Sequence, residues 1–251
     1  MAENTFILQK GNIYFFYRPK VEHDYAQNLD DVQRLFVVLK PADKREHILL
    51  VIGKKALPAG ENKETYFAFV EMVTHDVSAL AEGFQAHIYH TSSLGKRKLP
   101  AVRGLAEGKY LLIKHKEKHV HLYYALRVPH NLADVHKSFG LKENDDFLVS
   151  VKNPRQPSPY YATLSPQQKA EYPERLTKKF QDYRFIPLDP PEFLEYAGSE
   201  LLLIGTTTNI IDKNRELIQA TKTITTETIK LYLRDIPDDI SLTPIIEKRW
   251  Q

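Results

Sequence analysis

Short apolar runs, several of them alternating with polar residues, recur along the chain, and most are too short for buried helices. Gly11–Pro19 carries the aromatic run Tyr14-Phe15-Phe16-Tyr17 and ends at a proline, which predicts a strand whose rings pack in a core. Arg34–Pro41 and His47–Gly53 are apolar runs flanking the turn-like Pro41–Glu46, the pattern of a buried hairpin. Thr65–Val73, Phe84–Thr91 and Glu200–Gly205 read as further strands. Thr74 or Asp76 is placed to cap a short helix through Leu80–Ala81, with Gly83 as its stop. Lys20–Asp30, Lys54–Lys63 and Ser92–Gly104 read as loops by their polar, Gly and Pro content.

The stretch Gly108–Pro157 predicts a hairpin, a connector and a third strand that follows Asp145-Asp146. Along the second hairpin strand Val120, Leu122, Tyr124, Leu126 and Val128 fall on one face. A three-residue turn, Lys116–Lys118, would pair His115 with His119 and Ile113 with His121; a two-residue turn would move His115 to the other face. Helical turns are predicted after Ser165-Pro166, interrupted at Pro173, and over Pro190–Gly198 and Thr226–Arg234. The fold class expected is α+β, built on antiparallel hairpin sheets. Partial echoes between Gly11–Tyr17 and Gly108–Lys114, Asp31–Phe36 and Asp134–Phe139, and Val51–Lys54 and Val149–Lys152 suggest two similar halves, 1–104 and 105–205, with a polar tail at 206–251.

Composition narrows the chemistry. The chain has 251 residues, of which 42% are hydrophobic and 27% charged, enough apolar content for a globular core. It has no cysteine, which excludes disulfides, thiolate metal sites and cysteine nucleophiles. Thirty-five basic against thirty-two acidic residues leave +3, so any anion-binding function must be local. The first residues do not read as a signal peptide, and no apolar run approaches the ~18 residues of a membrane helix, so a cytoplasmic protein without membrane partners is expected.

Lys96, Arg97, Lys98 and Arg103 lie on a Gly- and Pro-punctuated loop, a setting that suits phosphate. Lys54 and Lys55 follow one strand end, and Lys152 and Arg155 follow another; in a duplicated fold these pairs would converge on one anion. Tyr160 and Tyr161 are placed to stack on a base. His115, His119 and His121 on one hairpin face would suit a divalent metal, although Lys114, Lys116, Lys118 and Arg127 beside them oppose a cation. No phosphate-loop, dinucleotide or nucleophile-elbow motif occurs, and Asp145-Asp146 reads as turn chemistry. The leading expectation is a non-enzymatic protein that binds nucleic acid or a phosphate-bearing ligand, without a cofactor. The alternatives are a metal-assisted hydrolase using the histidines, and a protein-interaction domain whose C-terminal tail and Trp250 contact a partner.

Overall fold

A computed structural model describes residues 5–93, 95–115, 118–159, 164–207, 215–225, 227–229 and 239–251. The strands are β1 (Thr5–Pro19), β2 (Val32–Pro41), β3 (His47–Ile52), β4 (Thr65–Thr74), β5 (His87–Thr91), β6 (Gly95–Leu99), β7 (Arg103–His115), β8 (His119–Val128), β9 (Asn144–Lys152), β10 (Phe185–Pro187) and β11 (Glu200–Gly205). The helices are α1 (Val77–Phe84), α2 (Asp134–Ser138), α3 (Glu174–Thr177), α4 (Arg215–Lys222) and α5 (Thr243–Ile246). Eight strands run in the order β9-β11-β4-β3-β2-β1-β7-β8, and β8 pairs back onto β9, so the antiparallel sheet closes into a barrel.

Alternation explains why the barrel is solid. Ile13, Phe15 and Tyr17 of β1 point into the same cluster as Val37, Leu50, Tyr110, Leu122, Phe147 and Leu203 from the strands around it. The remaining interior cavity is about 10 Å³, about one water-sized probe, so ligand space must lie outside the barrel. The intervening residues Tyr14, Phe16, Phe36, Val38, Leu49 and Val51 face outward and are also buried, beneath Leu80 and Phe84 of α1 and Ile229, Ile240 and Ile245 of the C-terminal segment. Asp76 caps α1, its side chain accepting from the Ser78 N–H at 2.9 Å, and the helix runs past Gly83 to Phe84.

The expected α+β fold built on antiparallel hairpin sheets is corrected to a mostly β fold, a closed eight-stranded barrel with a few short helices. Four neighbouring strands, β1–β4, and the four others, β7, β8, β9 and β11, close into one barrel, because each set exposes sheet edges that the other pairs. The echoed segments also differ: Val32–Phe36 lies in β2, whereas Asp134–Ser138 is the helix α2. The expected loop Ser92–Gly104 contains β6, which folds with β5 into a two-stranded ribbon outside the barrel. The helix expected over Thr226–Arg234 falls largely outside the described residues. No helix among the described residues is long and apolar enough to cross a membrane.

The C-terminal segment lies on the barrel wall in extended contact. Lys109 donates to the Thr221 carbonyl (3.0 Å), Asn12 to the Thr225 carbonyl (3.1 Å) and Tyr14 to the Glu227 carbonyl (3.0 Å), while the Ile229 N–H donates to the Glu107 carboxylate (2.6 Å). Trp250 ends the run against Tyr17 and Phe139, with ring centroids 5.8 and 5.4 Å away. The Tyr17 hydroxyl donates to the Gln251 carbonyl at 2.7 Å, and burial pushes its pKa up to about 12.

Two outcomes are expected. Trp250→Ala should lower the unfolding free energy by about 1–2 kcal/mol, through lost apolar burial and ring contacts, as measured by urea denaturation; an unchanged midpoint would show that the segment is not part of the core. His136 is fully buried, accepts from the Ala133 N–H at 3.2 Å through Nδ1, and has its pKa lowered from the ordinary 6.5, chiefly by burial. The unfolded chain therefore takes up this proton before the folded one does. Its contribution to stability should be complete above pH ~6.5 and decline as pH falls through the lowered folded pKa, and His136→Gln should flatten that part of the stability profile.

Candidate functional site

The basic cluster at the ribbon is largely neutralised by the preceding loop. Lys20–Asp31 contains four acids, Glu22, Asp24, Asp30 and Asp31. Glu22 pairs with Arg97 at 3.2 Å and accepts from the Lys98 backbone N–H at 2.6 Å, and Asp24 pairs with the Lys98 ammonium. Arg103 is buried and donates to the carbonyls of Ala101 (2.9 Å), Val102 (3.3 Å) and Asp24 (2.9 Å). It ties the loop to the ribbon base, as Arg18 does from the other side through Gly83 (2.6 Å) and Pro100 (2.8 Å). Of the ribbon's three cations, only Lys96 lacks an ion pair among the described residues.

The other expected cations are dispersed. Lys54 and Lys55 line a groove at the ribbon end of the barrel with Arg34 and Glu71, but Lys55 already donates to the carbonyls of Leu29 (3.2 Å) and Asp30 (3.1 Å). Lys152 is at the opposite end and wholly buried. Its ammonium pairs with Glu200 at 2.6 Å and donates to the carbonyls of Asn153 (3.1 Å) and Gln156 (2.7 Å). Ser158 closes the set by donating to Glu200 at 2.9 Å. Arg155 is exposed on the turn that follows. Lys54, Arg103 and Lys152 therefore do not converge on one anion. Tyr160 and Tyr161 lie outside the described residues.

The hairpin has the register of the three-residue turn: His115 opposes His119, and Ile113 opposes His121. The His115 and His121 rings lie 6.1 Å apart. Among the described residues no group of three or more His, Asp or Glu is placed to hold a metal. His121 is instead buried with Asp146, Nδ1 to Oδ2 at 2.6 Å, and Thr206 donates to the same carboxylate oxygen at 3.1 Å. Asp146 belongs to β9 rather than a turn. The carboxylate fixes the ring's orientation, as carboxylates do for working imidazoles, but here the pair also spans the seam between β8 and β9.

A different constellation forms at that seam. The edge of β9 facing β8 is shared: β8 pairs with Asn144–Leu148, and β10 pairs with Ser150–Lys152. Between them only the Leu188 N–H reaches the Val149 carbonyl, at 3.2 Å. Before His121, β8 stays paired with β7 while β10 occupies β9, so the sheet forks. The fork encloses a cleft of about 670 Å³ lined by Lys114, Lys118, Lys179, Tyr183, Phe185 and Asp189, with Val120, Ile186 and Pro187 as apolar surface and His119 and Gln181 at its sides.

Three ammonium groups meet one carboxylate there. Lys114 pairs with Asp189 at 2.9 Å, whereas Lys118 and Lys179 carry no ion pair among the described residues and are exposed. Gln181 adopts φ 47° and ψ −124°, a strained backbone for a residue with a side chain, in the turn that presents Tyr183. Neighbouring Phe180 anchors that turn: it is fully buried against Tyr172 and Phe193. Lys179 and Tyr183 were not legible as site residues because they join the hairpin only through the pairing of β10, more than fifty residues further along the chain. The available signal was the run of cations around the turn at Lys114–Lys118.

The role of Lys152 is testable by stability. Lys152→Ala would leave Glu200 buried and unpaired, so a loss of roughly 3–5 kcal/mol is expected on urea unfolding, with part recovered in Lys152→Met/Glu200→Leu. A Lys152→Ala protein as stable as the parent would show that the charge is not held as described.

In comparisons with known proteins, no family model, no curated protein and no solved structure matches this chain.

Proposed function

We propose that this protein is a non-enzymatic binding protein for an anionic ligand, taken up in the cleft between β8 and β10. The observation that carries the reading is the charge left over there: Lys114, Lys118 and Lys179 border one cleft in which, among the described residues, the only carboxylate, Asp189, already pairs with Lys114. Exposed ammonium groups with no counter-ion among the described residues, together with an apolar floor, favour a ligand that brings negative charge and some apolar surface. The ribbon cluster, by contrast, meets its counter-ions within the fold and has less charge to offer. Phosphate-bearing compounds are the ligand class that best matches lysines converging from different elements.

The test is calorimetric titration of the full chain with inorganic pyrophosphate at low and moderate salt. Binding that weakens with salt is expected, and Lys118→Gln/Lys179→Gln should weaken it about tenfold or more, since two charge-assisted contacts are lost. Both lysines are exposed, so the double variant should fold normally. Equal affinity in parent and variant, or no binding to either, would overturn the reading, whereas Lys96→Gln/Arg97→Gln should leave affinity unchanged.

A further inference from the structure

We infer that the ligand of this cleft is a nucleotide, with its base stacked on Tyr183 and its phosphates on Lys118 and Lys179. The inference rests on the anion-binding reading above and specifies what the anion is attached to.

The cleft contributes two aromatic rings, and they are not equivalent. Phe185 is already engaged, with the Arg184 guanidinium 5.6 Å from its centroid and Phe67 6.3 Å away. Tyr183 is 64% exposed, and among the described residues no ring or cation stacks on it. Its position is nevertheless set. The Tyr183 N–H donates to the Phe180 carbonyl at 2.8 Å, and its own carbonyl accepts from Asn153 Nδ2 at 3.3 Å. A large exposed ring on a backbone held from both sides, one turn from the strained Gln181, costs little further ordering when a flat partner stacks on it. Stacking on an aromatic side chain suits any nucleobase, since every base offers a π-face.

Charge gives the ligand a direction. Asp189 repels phosphate and, beside Lys114, offers oxygen lone pairs to donors. Sugar hydroxyls or an exocyclic amine therefore belong toward Asp189, and the phosphates toward Lys118 and Lys179. Val120, Ile186 and Pro187 supply apolar surface between the two ends. Size favours a single nucleotide over a strand: about 670 Å³ falls within the range of small-molecule sites, and a polymer would need cations and aromatic platforms repeated along a groove.

The experiment titrates the full chain with ADP, pyrophosphate and a ten-nucleotide oligothymidylate under one buffer and salt condition. ADP and pyrophosphate both present a diphosphate, so their difference reports the nucleoside. ADP is expected to bind roughly tenfold more tightly than pyrophosphate. Tyr183→Ala should remove that advantage and leave pyrophosphate unchanged, Tyr183→Phe should retain it, and Lys118→Gln/Lys179→Gln should weaken both ligands together. ADP no tighter than pyrophosphate, or an advantage that survives Tyr183→Ala, would overturn the nucleotide assignment while leaving anion binding intact. Failure of both ligands to bind would remove the anion reading itself. An oligonucleotide that binds tenfold more tightly than ADP would replace the nucleotide with a single strand.

Discussion

Closure between β8 and β9 is the interaction on which the rest of this structure depends. Without the pairing of His121–Ala125 with Asn144–Leu148, the strands would form an open sheet with two long unpaired edges and an uncovered apolar face. The closing strands are unequal, because β9 extends beyond the part that β8 can pair. A segment returning from beyond the third helix supplies β10 for the remainder, and the fork between β8 and β10 becomes the cleft. The cleft is thus a by-product of how the barrel closes. The same seam buries His121 with Asp146 and Thr206, a polar set whose members satisfy one another. The barrel's own interior is filled, so the cleft lies outside it.

The outer wall shows a second consequence. On β1 and β7 the outward positions include buried polar residues, Asn12, Glu107 and Lys109, which would be costly to cover with apolar groups alone. They face the backbone of the C-terminal segment, whose carbonyls and N–H groups they satisfy. Ile224 and Ile229 from that segment fill the apolar surface in between. Polar wall and extended segment need each other. A stretch that reads as a polar tail is therefore an outer layer of the fold, and Trp250 packs where that layer ends, against Tyr17 and Phe139.

Much of the local structure was legible in the sequence, and much of the global structure was not. The strand Gly11–Pro19, the hairpin around Pro41–Glu46, the capping Asp76 and the turn that sets His115 against His119 all follow from patterns confined to a few residues. Closure was not visible because strands such as β1 and β3 are buried on both faces. The inner face meets the barrel core and the outer face meets α1 or the C-terminal segment, so the polar beat that marks one solvated face is missing. Runs of that kind fit several β-rich architectures equally well. The ribbon was hidden for another reason: Lys96, Arg97 and Lys98 read as a charged loop, although the adjacent Arg97 and Lys98 of β6 both pair with the acidic loop before β2.

Charge was the least transferable property. Lys96–Arg103 is the densest basic run by sequence position, yet Glu22 and Asp24, more than seventy residues earlier, neutralise most of it. Lys152 follows a strand end as an anion-binding lysine should, yet Glu200 stands opposite on β11 and both are buried. In each case the counter-ion comes from a strand or loop distant in the sequence that folding brings alongside. Lys179 shows the reverse: nothing near it in the sequence marked it, and folding brings it to one cleft with Lys114 and Lys118, where, among the described residues, Asp189 is the only acid. A candidate anion site is therefore better sought where folding gathers several cations from different elements into one cleft than where the sequence places many together, and the fork gathers three.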